Sequence, residues 1–158
     1  MSAAFTIRRA DAPDLSGINA LMHASRAYQG EYYRILEGYT VTPDNLEHNQ
    51  VFLAENDEAL LGFYSLIVAR EPADLDLLFV SDAAQGLGVG RALFEHMKGI
   101  ARKCGRMTVS IGAHPPSAAF YERMGAVRCG VSPPSGRVTW TRPLFKLDIV
   151  ENSDALDA

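Results

Sequence analysis

At 158 residues the chain has the length of one domain, with enough interior to fold without disulfides or a structural metal. Its charged fraction of 22% and hydrophobic fraction of 47% are those of an ordinary globular protein, and a net charge of −4 argues against a general nucleic-acid surface. Two cysteines, Cys104 and Cys129, make neither a disulfide framework nor a metal-ligand cluster, so no metal is expected and both thiols are expected to sit reduced in or near the core.

The first residues, MSAAFTIRRA, lack the apolar segment of a signal peptide, and no apolar run approaches a membrane span. The chain therefore reads as soluble and cytoplasmic, with no membrane partner. Phe5–Arg9 alternates and predicts a first strand; Asp11 offers an N-cap for a helix over Asp14–Arg26, with Leu15, Ile18, Leu21 and Met22 at helical spacing. An aromatic, irregular stretch follows. Its tyrosines Tyr28, Tyr32, Tyr33 and Tyr39 are candidates for substrate contact, the first three above all, with ordinary packing as the alternative. A short helix over Glu31–Glu37 and another beginning at Thr42-Pro43 are expected there. Val51–Glu55 and Ala59–Arg70 form a hairpin turning at Asn56-Asp57-Glu58.

Asp74–Gly90 organises the rest. Leu75, Leu77, Leu78, Phe79 and Val80 read as a strand interrupted by Asp76, and from Leu93 the apolar residues Phe94, Met97, Ile100, Ala101 and Cys104 recur at helical spacing. Between strand and helix stand Gly86, Gly88 and Gly90. Three glycines cost backbone entropy, and at a helix start the reason to keep them is an anion approaching backbone N–H groups. A P-loop would need lysine after its last glycine, and Arg91 stands there; a Rossmann turn would need glycine at 91 or 93. The alternative is a turn that merely lets strand and helix pack closely. Downstream, Met107–Ile111 predicts a strand, Ser117–Met124 a helix capped by Gly125, Val127–Val131 a strand and Thr139–Ile149 a final strand. Glu151–Ala158 reads as a polar, acidic, frayed tail.

Gln85-x-x-Gly88-x-Gly90 on a strand-to-helix turn resembles the pyrophosphate loop of the GNAT superfamily of acetyl-CoA-dependent N-acetyltransferases. The order β–α–α–β–β–β–α–β–α–β–β is similar to that family's over nearly the whole chain. Phe120-Tyr121-Glu122-Arg123-Met124-Gly125-Ala126 resembles its Phe-Tyr-x-x-x-Gly-Phe, in the expected place. The resemblance implies an α/β (α+β) fold: a mixed, mostly antiparallel central sheet of about seven strands flanked by helices, as one domain over residues 1–150. It also implies acetyl-CoA as cosubstrate, held by the backbone of Leu78, Phe79 and Val80 and by Gln85, Gly86, Leu87, Gly88, Val89, Gly90 and Arg91, with His114, Ser117, Phe120 and Tyr121 alongside. The family's asparagine ahead of the last helix is missing; His114 and Pro116 stand in that region.

By the same resemblance Tyr121 protonates the departing thiolate, with anchoring of its helix to the sheet as the alternative, and Asp74 falls where relatives carry a glutamate base. Asp76 shares its face by strand alternation. Either aspartate could act as base, act through water, or attract a cationic amine; His23 and His114 are reserve bases. The basic helix residues Lys98, Arg102, Lys103 and Arg106 favour bound phosphates, although a solvated face accounts for them equally. The expected reaction is direct acetyl transfer to a primary amine, on a small molecule or a protein. The competing class is a non-catalytic acyl-CoA sensor of the same fold. A homodimer is expected through the last strand and Trp140, taken as an uncovered sheet edge.

Overall fold

A computed structural model of the chain describes residues 4–25, 28, 32, 35–36, 38–136 and 138–149. Seven strands form one mixed sheet: β1 (Thr6–Arg9), β2 (Gln50–Glu55), β3 (Leu60–Ile67), β4 (Ala73–Val80), β5 (Thr108–Gly112), β6 (Val127–Ser132) and β7 (Arg142–Asp148). Their spatial order is β1-β2-β3-β4-β5-β7-β6, antiparallel everywhere except between β4 and β5. Helices α1 (Leu15–His23) and α2 (Pro43–His48) precede the hairpin, α3 (Val89–Lys103) follows β4, and α4 (Ala118–Arg123) lies between β5 and β6.

Strand alternation divides the interior into two layers. Val51, Leu53 and Phe63 pack with Ile18 and Met22 of α1, while Phe52, Ala54, Tyr64 and Leu66 face α3. Both faces of β2 and β3 are therefore buried, which is why their sequences are apolar almost throughout. On α3, Leu93, Phe94, Met97 and Ala101 are fully buried at spacings of one, three and four residues, the stripe that a 3.6-residue period requires. Asp11 caps a short 3₁₀ turn at Ala12–Asp14 rather than α1 itself. Thr42 opens α2 by accepting from the Asn45 backbone N–H at 3.2 Å, while the Asn45 side chain accepts from the Thr42 N–H at 2.9 Å.

Two features of β4 shape everything after it. Ser65 pairs with Leu77 but Leu66 pairs with Leu75, so Asp76 is an extra residue in a β-bulge. The bulge reverses the alternation: Leu75 joins the α3 layer, whereas Leu77 and Phe79 join the α1 layer. On its other side β4 pairs with β5 only at Ala73–Val109 and Asp74–Ser110. From Leu75 onward the two parallel strands diverge and open a wedge at their C-terminal ends.

Three expectations need correction. The last strand is not an edge: β7 inserts between β5 and β6, and β6 carries the open edge, with Val127 and Val131 exposed. Trp140 precedes β7 and turns inward, so the grounds given for a dimer through that strand do not hold. Cys129 is exposed on β6 rather than near the core, while Cys104 at the end of α3 is half-buried. Tyr33, most of the helix expected over Glu31–Glu37, and the tail Glu151–Ala158 lie outside the described residues.

Candidate active site

The wedge holds two connected spaces. The larger, roughly 900 Å³, is a groove between the glycine loop with the start of α3 on one side and α4 on the other. Gln85, Gly86, Gly88, Val89, Gly90 and Arg91 line it, facing Pro116, Ser117, Phe120 and Tyr121. Gly86 and Gly88 have φ of +83° and +84°, the left-handed region where any Cβ is strained. The first N–H that α3 uses for itself is Ala92's, to the Gly88 carbonyl at 3.0 Å; the preceding N–H groups of the helix are its natural orphans. Gln85 ties the loop to β4, its Nε2 donating to the Val80 carbonyl at 3.1 Å. Leu87 departs from the expected set, because its N–H donates to the Ala84 carbonyl and its side chain points to solvent.

The smaller space, roughly 240 Å³, lies deeper between β4, β5 and the start of β7. Tyr28, Leu78, Phe79, Ser117 and Tyr121 line both spaces and form the passage between them. Rings make one continuous wall of it. Trp140 meets Tyr32 edge-on at 4.8 Å, Tyr32 meets His114 edge-on at 4.7 Å, and His114 stacks on Tyr28 at 3.8 Å. Tyr28 in turn leans on Phe79 at 5.1 Å. His114 thus lines the smaller cavity and not the groove, against its expected place beside the acetyl donor. Tyr32 supports the wall from behind, through His114 and Trp140.

Tyr121 is buried, held on α4 among Phe94, Phe120 and Phe145, and burial pushes its phenol well above the ordinary range. The hydroxyl therefore stays protonated at any working pH. The bulged Asp76 lines the smaller cavity and accepts from the Tyr39 hydroxyl at 2.8 Å. Tyr39 is likewise pushed up, by burial first and then by the Asp76 charge.

Asp74 lines neither space. It sits where β4 and β5 still pair, accepting from Ser110 Oγ at 3.5 Å with Arg70 at 4.0 Å. Its carboxyl is raised, by burial first and by the charge of Asp76 second. His23 is outside as well, its Nε2 donating to the Tyr39 carbonyl at 2.7 Å. Sequence reasoning missed Arg142, the inward role of Trp140 and the pairing of Tyr39 with Asp76. These residues come from segments far apart in the chain, and only the bulge in β4 and the insertion of β7 bring them together.

The family model described as acetyltransferase (GNAT) domain matches residues 23–140. The chain belongs to the GNAT acetyltransferase family. This GNAT chain is 28% identical over 111 residues to the 5-NmdU N-acetyltransferase of Pseudomonas phage PaMx11, covering 67% of the chain and 79% of the phage protein. Among solved structures, a GNAT-family protein of Desulfovibrio desulfuricans superposes with a TM-score of 0.77 at 20% identity, covering 93% of this chain and 100% of that one. A Salmonella typhimurium protein solved with its cofactor acetyl-CoA gives 0.73 at 22% identity, covering 94% and 96%. The ribosomal-protein-S18-alanine N-acetyltransferase of Escherichia coli gives 0.71 at 20%, again covering 94% and 96%. The sheet order and the open wedge are thus the GNAT fold, and the enzyme is an acetyltransferase. No helix among the described residues is long and apolar enough to cross a membrane, and none of their side chains group as metal ligands.

Proposed function

We propose that the enzyme transfers an acetyl group from acetyl-CoA directly to a primary amine, with the donor in the larger groove and the acceptor in the smaller cavity. The observation that carries this reading is the junction: Tyr121 and the β4 residues Leu78 and Phe79 belong to both spaces, so two substrates can meet there. The loop suits a pyrophosphate, since its left-handed glycines keep side chains away from free N–H groups at the positive end of the 15-residue α3. Bound acetyl-CoA supplies the activated acetyl group.

The chain's own residues do the rest. Leu78–Val80, on the stretch of β4 that lies beyond its pairing with β5, offer backbone groups for the donor's chain and carbonyl. Tyr121 keeps a proton ready for the thiolate that leaves. Asp76, the one of the two candidate aspartates that lines the cavity, collects the amine and receives its proton. Loss of one well-placed donor to a developing charge typically costs about 3 kcal/mol of barrier, so the backbone of β4 carries a large share of the rate.

Thiol release from acetyl-CoA over a panel of small amines and peptide amines tests the reading, and mass spectrometry should find one acetylated product. Gly88→Val should abolish acetyl-CoA binding in calorimetry, because a β-branched residue cannot hold φ of +84° and would crowd the N–H groups. Tight acetyl-CoA binding with no turnover on any amine would sink the catalytic reading.

A further inference from the structure

Two residues that line the smaller cavity, Trp140 and Arg142, carry nitrogen donors within the wall that have nothing to donate to. Trp140 Nε1 and Arg142 Nε are buried and, among the described residues, lack a hydrogen-bond partner. A buried donor left unpaired is costly, so native structures seldom keep one without reason, let alone two from neighbouring positions on one wall. Their placement follows from topology. β7 runs antiparallel to β5, with Gly112 opposite Leu144 and the Ala113 N–H bonded to the Pro143 carbonyl at 2.9 Å. The chain just ahead therefore carries Trp140 and Arg142 across the mouth of the wedge.

Opposite charges line the same small space. Asp76, with the Tyr39 hydroxyl, stands on β4, and the Arg142 guanidinium stands on β7. The rest of the lining mixes apolar residues such as Leu36, Leu75, Leu77 and Phe79 with the polar His114 and Ser117. At roughly 240 Å³ the cavity is smaller than the about 300–1,000 Å³ usual for drug-sized ligands, which suits a molecule of amino-acid size.

We propose that the acceptor is a small zwitterion, an amine that also bears a carboxylate, with the amine towards Asp76 and Tyr121 and the carboxylate against the wall of Trp140 and Arg142, whose unpaired N–H groups reach it by small side-chain rotations. The proposal rests on the reading of this cavity as the acceptor site. A guanidinium presents Nε and a terminal nitrogen as a planar pair that matches a carboxylate, and an indole N–H adds a third donor. A neutral amide, such as the first residue of a peptide would offer, gives one weaker acceptor and adds no charge for Arg142 beyond that of Asp74.

Trp140 is the one tryptophan of the chain, so its fluorescence reports on the cavity itself. Matched sets of an α-amino acid, its decarboxylated amine and its carboxamide, built on leucine, methionine and phenylalanine, should be titrated into the protein saturated with CoA. In at least one set the acid should perturb the emission at about ten-fold lower concentration than the amine or the amide, as charge-assisted bonds imply. In Arg142→Gln that preference should collapse to near parity. Trp140→Phe, followed by calorimetry because the fluorophore is gone, should weaken the acid relative to its amine. A response to amine or amide equal to that of the acid in every set, or no response to any of them, overturns the proposal. The two readings fail separately. Selective binding of an acid that is never acetylated would refute the transferase reading alone, and acetylation of amines or amides at least as efficiently as acids would refute the zwitterion alone.

Discussion

At Tyr121, burial sets both position and protonation: the same rings that hold the phenol at the junction raise its pKa and keep its proton on. Tyr121→Phe retains the ring, so acetyl-CoA affinity by calorimetry should hold while kcat falls. General acids contribute about 10²–10⁴-fold, and a thiolate leaves easily, so the loss should lie near the lower figure. Asp74 makes an opposite case, because its carboxyl is raised by burial and by Asp76, with Arg70, Ser110 and Arg142 only partly offsetting. A carboxyl raised on folding stabilises below its unfolded pKa of about 3.9, and that contribution is lost as pH rises through the folded value. Asp74→Asn should therefore raise the urea midpoint at pH 7 and change it little at pH 3.5, with modest effect on turnover. An Asp74→Asn protein with the same midpoint as the parent at both values would show that the charge costs the fold nothing. The family resemblance pointed to Asp74, and strand alternation placed Asp76 on the same face, so the sequence left either aspartate open as the base. The bulge that sends one into the cavity leaves no mark in residue type.

Among the elements, those with strong local patterns were legible: the β2–β3 hairpin, the α3 stripe and the glycine loop stand within a few residues of where periodicity puts them. Local signals say nothing of which strands become neighbours, and β7 reads as an edge until its ladders with both β5 and β6 are seen. The short 3₁₀ turn at Pro115–Ser117 similarly takes the start of what reads as one helix through Met124. β3 and β4 also approach more closely than their sequences suggest. A Cβ on Gly62 would lie 2.6 Å from the Phe79 carbonyl oxygen, closer than side chains tolerate. Gly62→Ala must move β4, at an overpacking cost of about 1–3 kcal/mol. Its urea midpoint should fall, and kcat/KM should fall further than kcat because the displaced strand lines both binding spaces. Unchanged values for both would mean that the strands part freely, contrary to their register.

Across the whole molecule, the groove proposed for the donor and the cavity proposed for the acceptor open off one passage, and on that reading both substrates are bound at once. Initial rates should give intersecting double-reciprocal lines, and quenched protein should carry no labelled acetyl group. Parallel lines with a trapped acyl-protein would point to a covalent relay instead. Neither Cys104 nor Cys129 borders either space, which leaves no thiol at the junction to act as one. The walls of the two spaces have separate origins. Groove walls come from β4, the glycine loop, α3 and α4, whereas Ile35, Leu36, Tyr39, Trp140 and Arg142 belong to the acceptor side alone. Those five fall in two short stretches of the chain, with Ile35 and Leu36 in a 3₁₀ turn and Arg142 at the first position of β7. If the smaller cavity holds the acceptor as proposed, natural variation at Ile35, Leu36, Tyr39, Trp140 and Arg142 changes which amine is acetylated without altering the residues that line the groove alone.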